Sequence, residues 1–187
     1  MEIKKFVLGA LENNVYLLVK GKDAVLIDCE QPIVILKYLE KNGLKLKMIL
    51  LTHGHFDHVH GLEEIKERTG AEVWVNQKDV GLQYGGEITA DKFFKEGQVI
   101  RFGGGDIRVM FTPGHTPGSV FFLTGDCLFS GDTLFKQGVG RTDLPGGDAT
   151  ELEKSLRRVL ALPPETKVYP GHGEETSIKE EQFMVNS

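Results

Sequence analysis

Four of the chain's six histidines and one aspartate occur within a short segment, THGHFDHVHG, at positions 52–61. Because alternate residues of an extended segment point the same way, His53 and His55 can reach one cation. Asp57 and His58, in the turn into the following helix, can face a second cation. The spacing is therefore compatible with two metal ions bound by one loop, and also with a single ion held by three of these four side chains.

Three more candidate ligands occur singly, each in a glycine-bearing loop after a predicted strand. They are His115 in TPGHTPGS, Asp132 in FSGDTLF and His172 in PGHG. Either histidine alone would more often be a surface or hydrogen-bonded residue, and the aspartate alone a turn former or helix cap. However, five of the six histidines fall at candidate positions, and crowded imidazoles are typical of metal sites. The whole set predicts a metal centre, with only His60 left over.

Length and charge narrow the class of protein. With 187 residues, of which 40% are hydrophobic, the chain can bury one substantial core, so we expect a single domain over residues 1–187. The net charge of -5 and the lack of Lys/Arg clusters argue against a nucleic-acid surface. We therefore expect a small-molecule substrate and either a monomer or a small homo-oligomer.

The sequence favours neither a membrane segment nor a disulfide framework. No stretch approaches the roughly 20 apolar residues needed to span a bilayer. The apolar run near the start is broken by Glu12, Asn13 and Asn14, which favours a strand over a leader peptide. Cys29 and Cys127 lie far apart without a CxxC motif, which argues against a disulfide framework and a thiolate zinc site. We expect a cytoplasmic protein.

The elements that position the candidate ligands alternate between strands and helices. Strands are predicted at EIKKFVLG, VYLLVKG, DAVLIDC, KLKMILLT, AEVWVN, VIRF, DIRVMF, SVFFLT, CLFSG and KVYPGHG, and helices at PIVILKYLEKNG, GLEEIKERTG and DATELEKSLRRVLAL. Gly125 and Asp126 predict a hairpin turn, and Asp148 is expected to cap the last helix. Residues 77–98 give no assignable pattern, although their position suggests that they flank the pocket. The order indicates sheets in the middle, helices outside and every candidate ligand at a strand end.

The motifs THGHFDH, TPGHTPGS, SGDTLF and PGHG, in this order, resemble the metal-binding motifs of the metallo-β-lactamase superfamily, and the match extends over essentially the whole chain. The resemblance implies an α+β protein, an αβ/βα sandwich of two mixed β-sheets with helices on the outer faces and a dinuclear site at one edge. It assigns His53, His55 and His115 to the first metal, Asp57, His58 and His172 to the second, and Asp132 as the bridge. Two divalent ions are implied, zinc above all, although such ligands also accept iron or manganese.

Within the superfamily, Asp132 stands where the lactamases themselves commonly carry a cysteine. The segments NNVYLLV, TPGHTPGSV and GVGRTDLPGGD are most similar to the short glyoxalase II-like hydrolases and to the related persulfide dioxygenases. Arg141 sits where glyoxalase II-type enzymes place a basic residue that binds a carboxylate of glutathione, and a surface arginine in a glycine loop is the competing interpretation. Few residues follow GHG, so no additional C-terminal helical domain is expected.

Two positions depart from the pattern of this family. IDCE replaces the commoner IDPG, and His60 stands where many relatives have glycine. For Cys29, a role as a small buried hydrophobe is favoured over a place near the site. For His60, a position at the start of a helix is favoured over a hydrogen bond to a metal ligand.

The resemblance implies hydrolysis of an S-2-hydroxyacylglutathione-type thioester by a hydroxide that bridges two ions. Asp57 is then either a ligand of the second metal or the base that orients the nucleophile. The alternative is a mononuclear Fe(II) persulfide dioxygenase that uses His53, His115 and Asp132 and acts on glutathione persulfide. A non-enzymatic domain stabilised by zinc is disfavoured, because structural zinc is usually enclosed by four Cys or His ligands.

Overall fold

A computed structural model describes residues 1–182 of the chain, so positions 183–187 of the predicted domain lie outside the described residues. The predicted sandwich is confirmed: two six-stranded sheets face each other, and helices cover their outer faces. The first sheet contains, in spatial order, β1 (Glu2–Leu8), β2 (Asn13–Lys20), β3 (Asp23–Ile27), β4 (Lys45–Leu50), β5 (Glu72–Val75) and β6 (Lys92–Phe93). Strands β1 to β3 are antiparallel and β3 to β6 are parallel, so the sheet is mixed.

The second half of the chain forms the other sheet and a small ribbon. Its strands are β7 (Val99–Phe102), β8 (Gly105–Phe111), β9 (Val120–Thr124), β10 (Cys127–Gly131), β11 (Leu134–Phe135), β12 (Gly138–Val139), β13 (Lys167–Pro170) and β14 (Thr176–Ser177). The spatial order of the sheet is β14-β13-β10-β9-β8-β7, while β11 and β12 pair only with each other. The helices are α1 (Pro32–Asn42), α2 (Phe56–Val59), α3 (Leu62–Thr69), α4 (Ala149–Val159) and α5 (Ile178–Glu181). No helix in the described part of the chain is long and apolar enough to cross a membrane.

Strand β2 is apolar along most of its length because both of its faces are buried. Val15 and Leu17 pack in the core beneath α1 and α3, whereas Tyr16 and Leu18 pack between the two sheets. Successive side chains of a strand point to opposite faces, so a strand in the middle of a four-layer sandwich needs apolar residues at every position. The run NNVYLLV thus has a structural explanation.

The helix ends follow the chemistry expected from the sequence. Helix α1 begins at Pro32, whose missing N–H costs nothing in the first turn, and is followed by Gly43 in the left-handed conformation at φ 58. Helix α4 follows Asp148, whose side chain accepts hydrogen bonds from the main-chain N–H groups of Thr150 and Glu151. Both predicted ends are confirmed.

Two features differ from the sequence-based expectations. A one-turn helix, α2, stands directly before α3, so the segment after the first histidines is helical and not simply a turn. Residues 77–98 contain a short 3-10 turn at Gln77–Asp79 and the two-residue strand β6. Elements this short have no periodicity that a sequence pattern can reveal.

The topology brings the candidate ligand loops to one edge of the sandwich. Strands β8, β10 and β13 run in the same direction, because β9 is antiparallel to both β8 and β10, and β10 is parallel to β13. Their carboxyl ends therefore meet at the same edge, and the main-chain N–H of Val120 donates to the carbonyl of Thr52, just after β4 of the first sheet. The two sheets thus supply one common set of loops.

We predict that Asp148→Ala lowers the free energy of unfolding by about 1 kcal/mol, because two N–H groups at the start of α4 lose their acceptor. Urea unfolding followed by circular dichroism measures this change. Asp148→Asn keeps an acceptor oxygen and should stay close to the parent protein. Equal losses in both variants would contradict a capping role.

Candidate metal centre

All seven predicted ligands meet in one cluster at the loop edge of the sandwich. Within it, three overlapping groups have ligand atoms that lie within 4.8 Å of one another. The groups are His53, His55 and His115; His53, His58 and Asp132; and Asp57, His58 and His172. The first and third groups have the same members as the two ligand sets that the resemblance implies. The arrangement therefore offers two adjoining positions for a cation.

Asp132 lies between the two sets. Its Oδ1 is 3.3 Å from His58 Nε2, and its Oδ2 is 3.5 Å from His172 Nε2 and 3.8 Å from His115 Nε2. One carboxylate thus faces histidines of both sets. This is the position that a bridging ligand requires.

Four of the histidines have one ring nitrogen engaged on the outside of the cluster. Nδ1 is paired with Thr52 Oγ1 in His53, with Asp28 Oδ2 in His58, with the carbonyl of Arg141 in His115 and with the carbonyl of Leu11 in His172. Nε2 is the nitrogen left for the centre in His53, His115 and His172, whereas Nε2 of His58 also lies 2.8 Å from Asn13 Nδ2. Metal-binding histidines usually have their second nitrogen anchored in this way, which fixes the ring orientation.

His55 presents the opposite nitrogen to the cluster. Its Nδ1 lies 2.9 Å from His115 Nε2, so the two imidazoles share a proton or turn their lone pairs towards a common cation. Burial, followed by the neighbouring imidazoles, lowers the pKa of His55 to about 4. The same two causes hold the pKa of His53 well below its usual value. Both rings are therefore neutral at pH 7, which is the form that binds metal.

The residues fit a divalent cation. Among the described residues, His53 Nε2, His55 Nε2 and Asp132 Oδ1 are buried atoms without a hydrogen-bond partner. Leaving such groups unpaired costs about 1–3 kcal/mol each, and a metal ion facing His53 and Asp132 would supply the missing partner. Burial alone would raise the pKa of Asp132, yet the imidazoles of His58, His172 and His115 lower it to about 2. The carboxylate is thus charged and available to a cation.

Asp28 supports the centre without being one of the predicted residues. It accepts hydrogen bonds from Thr52 N at 2.7 Å, Thr52 Oγ1 at 2.8 Å and His58 Nδ1 at 2.9 Å, and it is buried. It ties the end of β3 to the first ligand loop and orients His58. Its place directly after an apolar strand, like that of the predicted ligands, was a usable sequence pattern.

Asp79, in the segment that gave no sequence pattern, joins the ligand loops of the two sheets. Its Oδ2 accepts from Gly54 N and Thr116 Oγ1, and its Oδ1 accepts from Gly118 N. A side chain at Gly118 would approach Asp79 Oδ1 to 2.4 Å, so glycine is needed for this contact. Asp79 thus places the beginning of the 77–98 segment beside the site, and no pattern in the sequence pointed to this residue.

Three other residues that the sequence points to, Arg141, Cys29 and His60, lie around the centre. Arg141 touches it through its main-chain carbonyl, while its exposed guanidinium donates to both carboxylate oxygens of Asp143, so the predicted carboxylate-binding role stays a prediction. Cys29 is fully buried in the core, as favoured. The His60 side chain is 68% exposed, follows α2 directly and pairs with Glu30 at 3.4 Å.

Comparison with known proteins identifies the class of protein that this fold and site define. The sequence model of the Metallo-beta-lactamase superfamily matches residues 8–172. The chain therefore belongs to the metallo-β-lactamase superfamily, as its motifs predicted.

Two relatives cover most of the chain. Over 200 residues it is 34% identical to the "Probable metallo-hydrolase YqgX" of Bacillus subtilis, which covers 97% of this chain and 95% of the relative. Over 166 residues it is 35% identical to the "Hydroxyacylglutathione hydrolase GloC" of Haemophilus influenzae, covering 79% and 78%. Both names support a metal-dependent hydrolase.

Solved structures of similar proteins carry more varied descriptions. The structure of BLEG-1 B3 metallo-beta-lactamase matches with a TM-score of 0.90 and 33% identity over 97% of both chains. TTHA1623 in a di-iron-bound form matches at 0.85 and 38% identity over 95% and 96% of the two chains. ETHE1 from Myxococcus xanthus matches at 0.88 and 35% identity, covering 97% of this chain and 82% of that one. The likeness extends to proteins with different names, so it leaves the reaction to be argued from the site.

We predict that Asp28→Asn weakens metal binding about 10- to 100-fold, because His58 loses the carboxylate that orients it. Asp28 has a φ of 60, a conformation that asparagine also tolerates, so the backbone should be preserved. Competition with a chelator measures the affinity. Asp23→Asn, at the other end of β3 where the half-exposed side chain pairs with Lys47, is the matched control. An unchanged affinity in Asp28→Asn would contradict the orienting role.

Gly171→Ala is predicted to disrupt the centre while leaving the cores intact. An added Cβ would lie 2.1 Å from Asp132 Oδ1 and 2.8 Å from His58 Cε1, so both side chains would have to move. Metal content after dialysis should fall well below one ion per chain. Gly138→Ala, where a Cβ meets nothing within 4 Å, should keep the full content. Full occupancy in Gly171→Ala would show that the site tolerates this displacement.

Proposed function

We propose that this protein hydrolyses a thioester of the S-2-hydroxyacylglutathione type at a centre of two divalent metal ions, zinc above all. The observation that carries the proposal is the carboxylate of Asp132 between two sets of three ligands. The name of the relative GloC supports the choice of a hydroxyacylglutathione. The small-molecule substrate, a single domain and the cytoplasmic location expected from the sequence are part of the same proposal.

The first and third groups of the cluster would each bind one ion. His53, His55 and His115 would hold one ion, Asp57, His58 and His172 the other, and Asp132 would be shared. When bound, such ions lower the pKa of a coordinated water to about 7 and polarise the carbonyl under attack. Iron or manganese could occupy the same ligands.

Asp57 has the position of a residue that handles the proton of the nucleophile. Its Oδ2 lies 3.2 Å from His172 Nε2 and 3.7 Å from His58 Nε2, and its side chain lines a cavity open to solvent. Burial raises the pKa of Asp57, but the interactions with His172 and His58 outweigh it and lower the pKa. As the alternative to a place among the ligands of the second ion, the ionised Oδ2 can accept a proton from the attacking water. A thiolate is a good leaving group, so no strong general acid is needed to protonate it.

Iron-dependent oxidation of a glutathione persulfide is the second candidate. His53 and His115 belong to one group of the cluster, and Asp132 Oδ2 lies 3.8 Å from His115 Nε2. Two histidines and one carboxylate are the ligand type of many mononuclear Fe(II) oxygenases. The similar protein TTHA1623 was crystallised in a di-iron-bound form, which supports iron as a metal for such a site. We favour the hydrolase because the described cluster offers ligands for two ions.

The proposal predicts that zinc-loaded protein cleaves S-lactoylglutathione and that Asp57→Ala lowers kcat/KM by about 100-fold or more, since a positioned proton acceptor is lost. Loss of thioester absorbance measures the rate, and removal of the metal by a chelator should abolish it reversibly. Asp106→Ala, at an exposed position in the hairpin of β7 and β8, is the control. No turnover with zinc, but oxygen uptake by iron-loaded protein given glutathione persulfide, would favour the second candidate.

A further inference from the structure

A cavity of about 290 Å³ opens beside the metal centre on the side of Asp57. It is lined by Leu8, Leu11, Glu30, Phe56, Asp57 and His60, among others. Because Asp57 belongs to one of the ligand sets, a group bound in this cavity would lie next to the reacting atoms. The cavity is therefore placed to hold one end of the substrate.

Apolar side chains form the mouth of the cavity. Leu11 is 54% exposed and Phe56 is 53% exposed, although both are large hydrophobic residues. Within the described part of the chain, both residues are therefore far more exposed than the residues of the hydrophobic cores. Covering such surface with an apolar ligand is favourable, and pockets for small molecules are typically built this way with a few placed polar groups.

Glu30 is the placed polar group of this cavity. The residue is 8% exposed, and its ion-pair partner among the described residues is His60, with Nδ1 at 3.4 Å from Oε1. That distance is longer than a well-formed hydrogen bond, so the carboxylate retains capacity to accept one. A Cβ on Gly9 would come within 2.9 Å of Glu30 Cγ, which shows how closely the loop before β2 holds this side chain. The acceptor is thus fixed in position.

Glu30 and His60 are also the two places where the sequence departs from the family pattern. Glu30 ends the IDCE segment, and His60 stands where many relatives have glycine. The structure brings these two departures together at the wall of one cavity, although they lie on separate loops. Neither belongs to the metal cluster or to a hydrophobic core. A role towards the substrate accounts for their proximity.

We propose that the cavity binds the acyl group of the thioester and that Glu30 is a specificity-determining residue, accepting a hydrogen bond from the 2-hydroxyl of that group. The inference rests on the proposed thioester hydrolysis and names the part of the substrate that this chain selects. Leu11 and Phe56 would cover the apolar part of the acyl group. His60 would hold the carboxylate of Glu30 in place.

Size and charge favour the acyl end over the glutathione end. A cavity of about 290 Å³ is at the lower limit for a small-molecule site, and suits a short acyl group better than a tripeptide. Glu30 and Asp57 give its wall negative charge, which would repel the carboxylates of glutathione. The main-chain carbonyl of Arg141, the residue predicted to bind a carboxylate of glutathione, pairs with Nδ1 of His115 in the other ligand set. The thiol end would therefore extend towards that side.

The inference is tested by comparing S-lactoylglutathione with S-propionylglutathione, which differ only in the 2-hydroxyl. Glu30→Met keeps the length of the side chain and removes the acceptor, so the ratio of the two kcat/KM values should fall about tenfold or more, mainly through the lactoyl substrate. Glu30→Gln keeps a neutral acceptor and should fall between. Glu40→Gln, an exposed position on α1, is the matched control. An unchanged ratio in Glu30→Met, with the parent enzyme active, would overturn the inference and leave the hydrolase standing.

Binding of uncleavable thioethers separates the two proposals. Calorimetry should show that the parent protein binds S-(2-hydroxypropyl)glutathione more tightly than S-propylglutathione and that Glu30→Met removes the difference. If the parent protein cleaves neither thioester, the proposed hydrolysis is wrong. Hydroxyl-dependent binding that requires Glu30 would still support its role at the cavity, and equal binding of both thioethers by the parent protein would overturn it.

Discussion

Close approach of the backbone to Asp132 is the constraint on which the centre depends. Gly131 has a φ of 48 and lies so near to Thr52 that an added Cβ would be 2.6 Å from its side chain. A Cβ on Gly140 would be 1.8 Å from the Asp132 carbonyl oxygen, and one on Gly171 would be 2.1 Å from Oδ1. The segments around Gly140 and Gly171 thus close on Asp132, while Gly131 packs its own loop against Thr52, and only glycine leaves room at these three positions. The two sheets serve to deliver these loops to one edge.

Local patterns explain how much of the molecule the sequence could predict. Apolar runs, a proline at the start of α1 and Asp148 before α4 each act through neighbours in sequence, so the predicted elements and helix ends were confirmed. The crowded histidines were equally visible, and the structure brings all seven predicted ligands together. Their roles as ligands rest on that proximity and on buried nitrogen and oxygen atoms that a cation would satisfy.

Features that depend on distant partners could not be predicted in the same way. Asp79 acts on Gly54 and Gly118, which are remote in the chain, and its own segment has no periodicity. The contact between Glu30 and His60 likewise appears only when β3 and α2 are side by side. The sequence shows both departures from the family pattern, but it does not show the cavity that they share. Spacing in the sequence can indicate candidate metal ligands. Three-dimensional contacts are needed to indicate which residues orient those ligands or contact the substrate.

The hydrogen bonds of Asp79 have a consequence for how the two halves of the molecule move. One carboxylate is bonded to the histidine loop of the first sheet and to the loop around His115 in the second. Neither half of the ligand cluster can open without breaking bonds to the same buried side chain. The bonds that join these loops form as the protein folds, so part of the conformational entropy of the ligand loops is lost at that stage. A cation bound by both loops would thus be held by segments that one buried carboxylate already joins, which lowers the entropic cost of binding it.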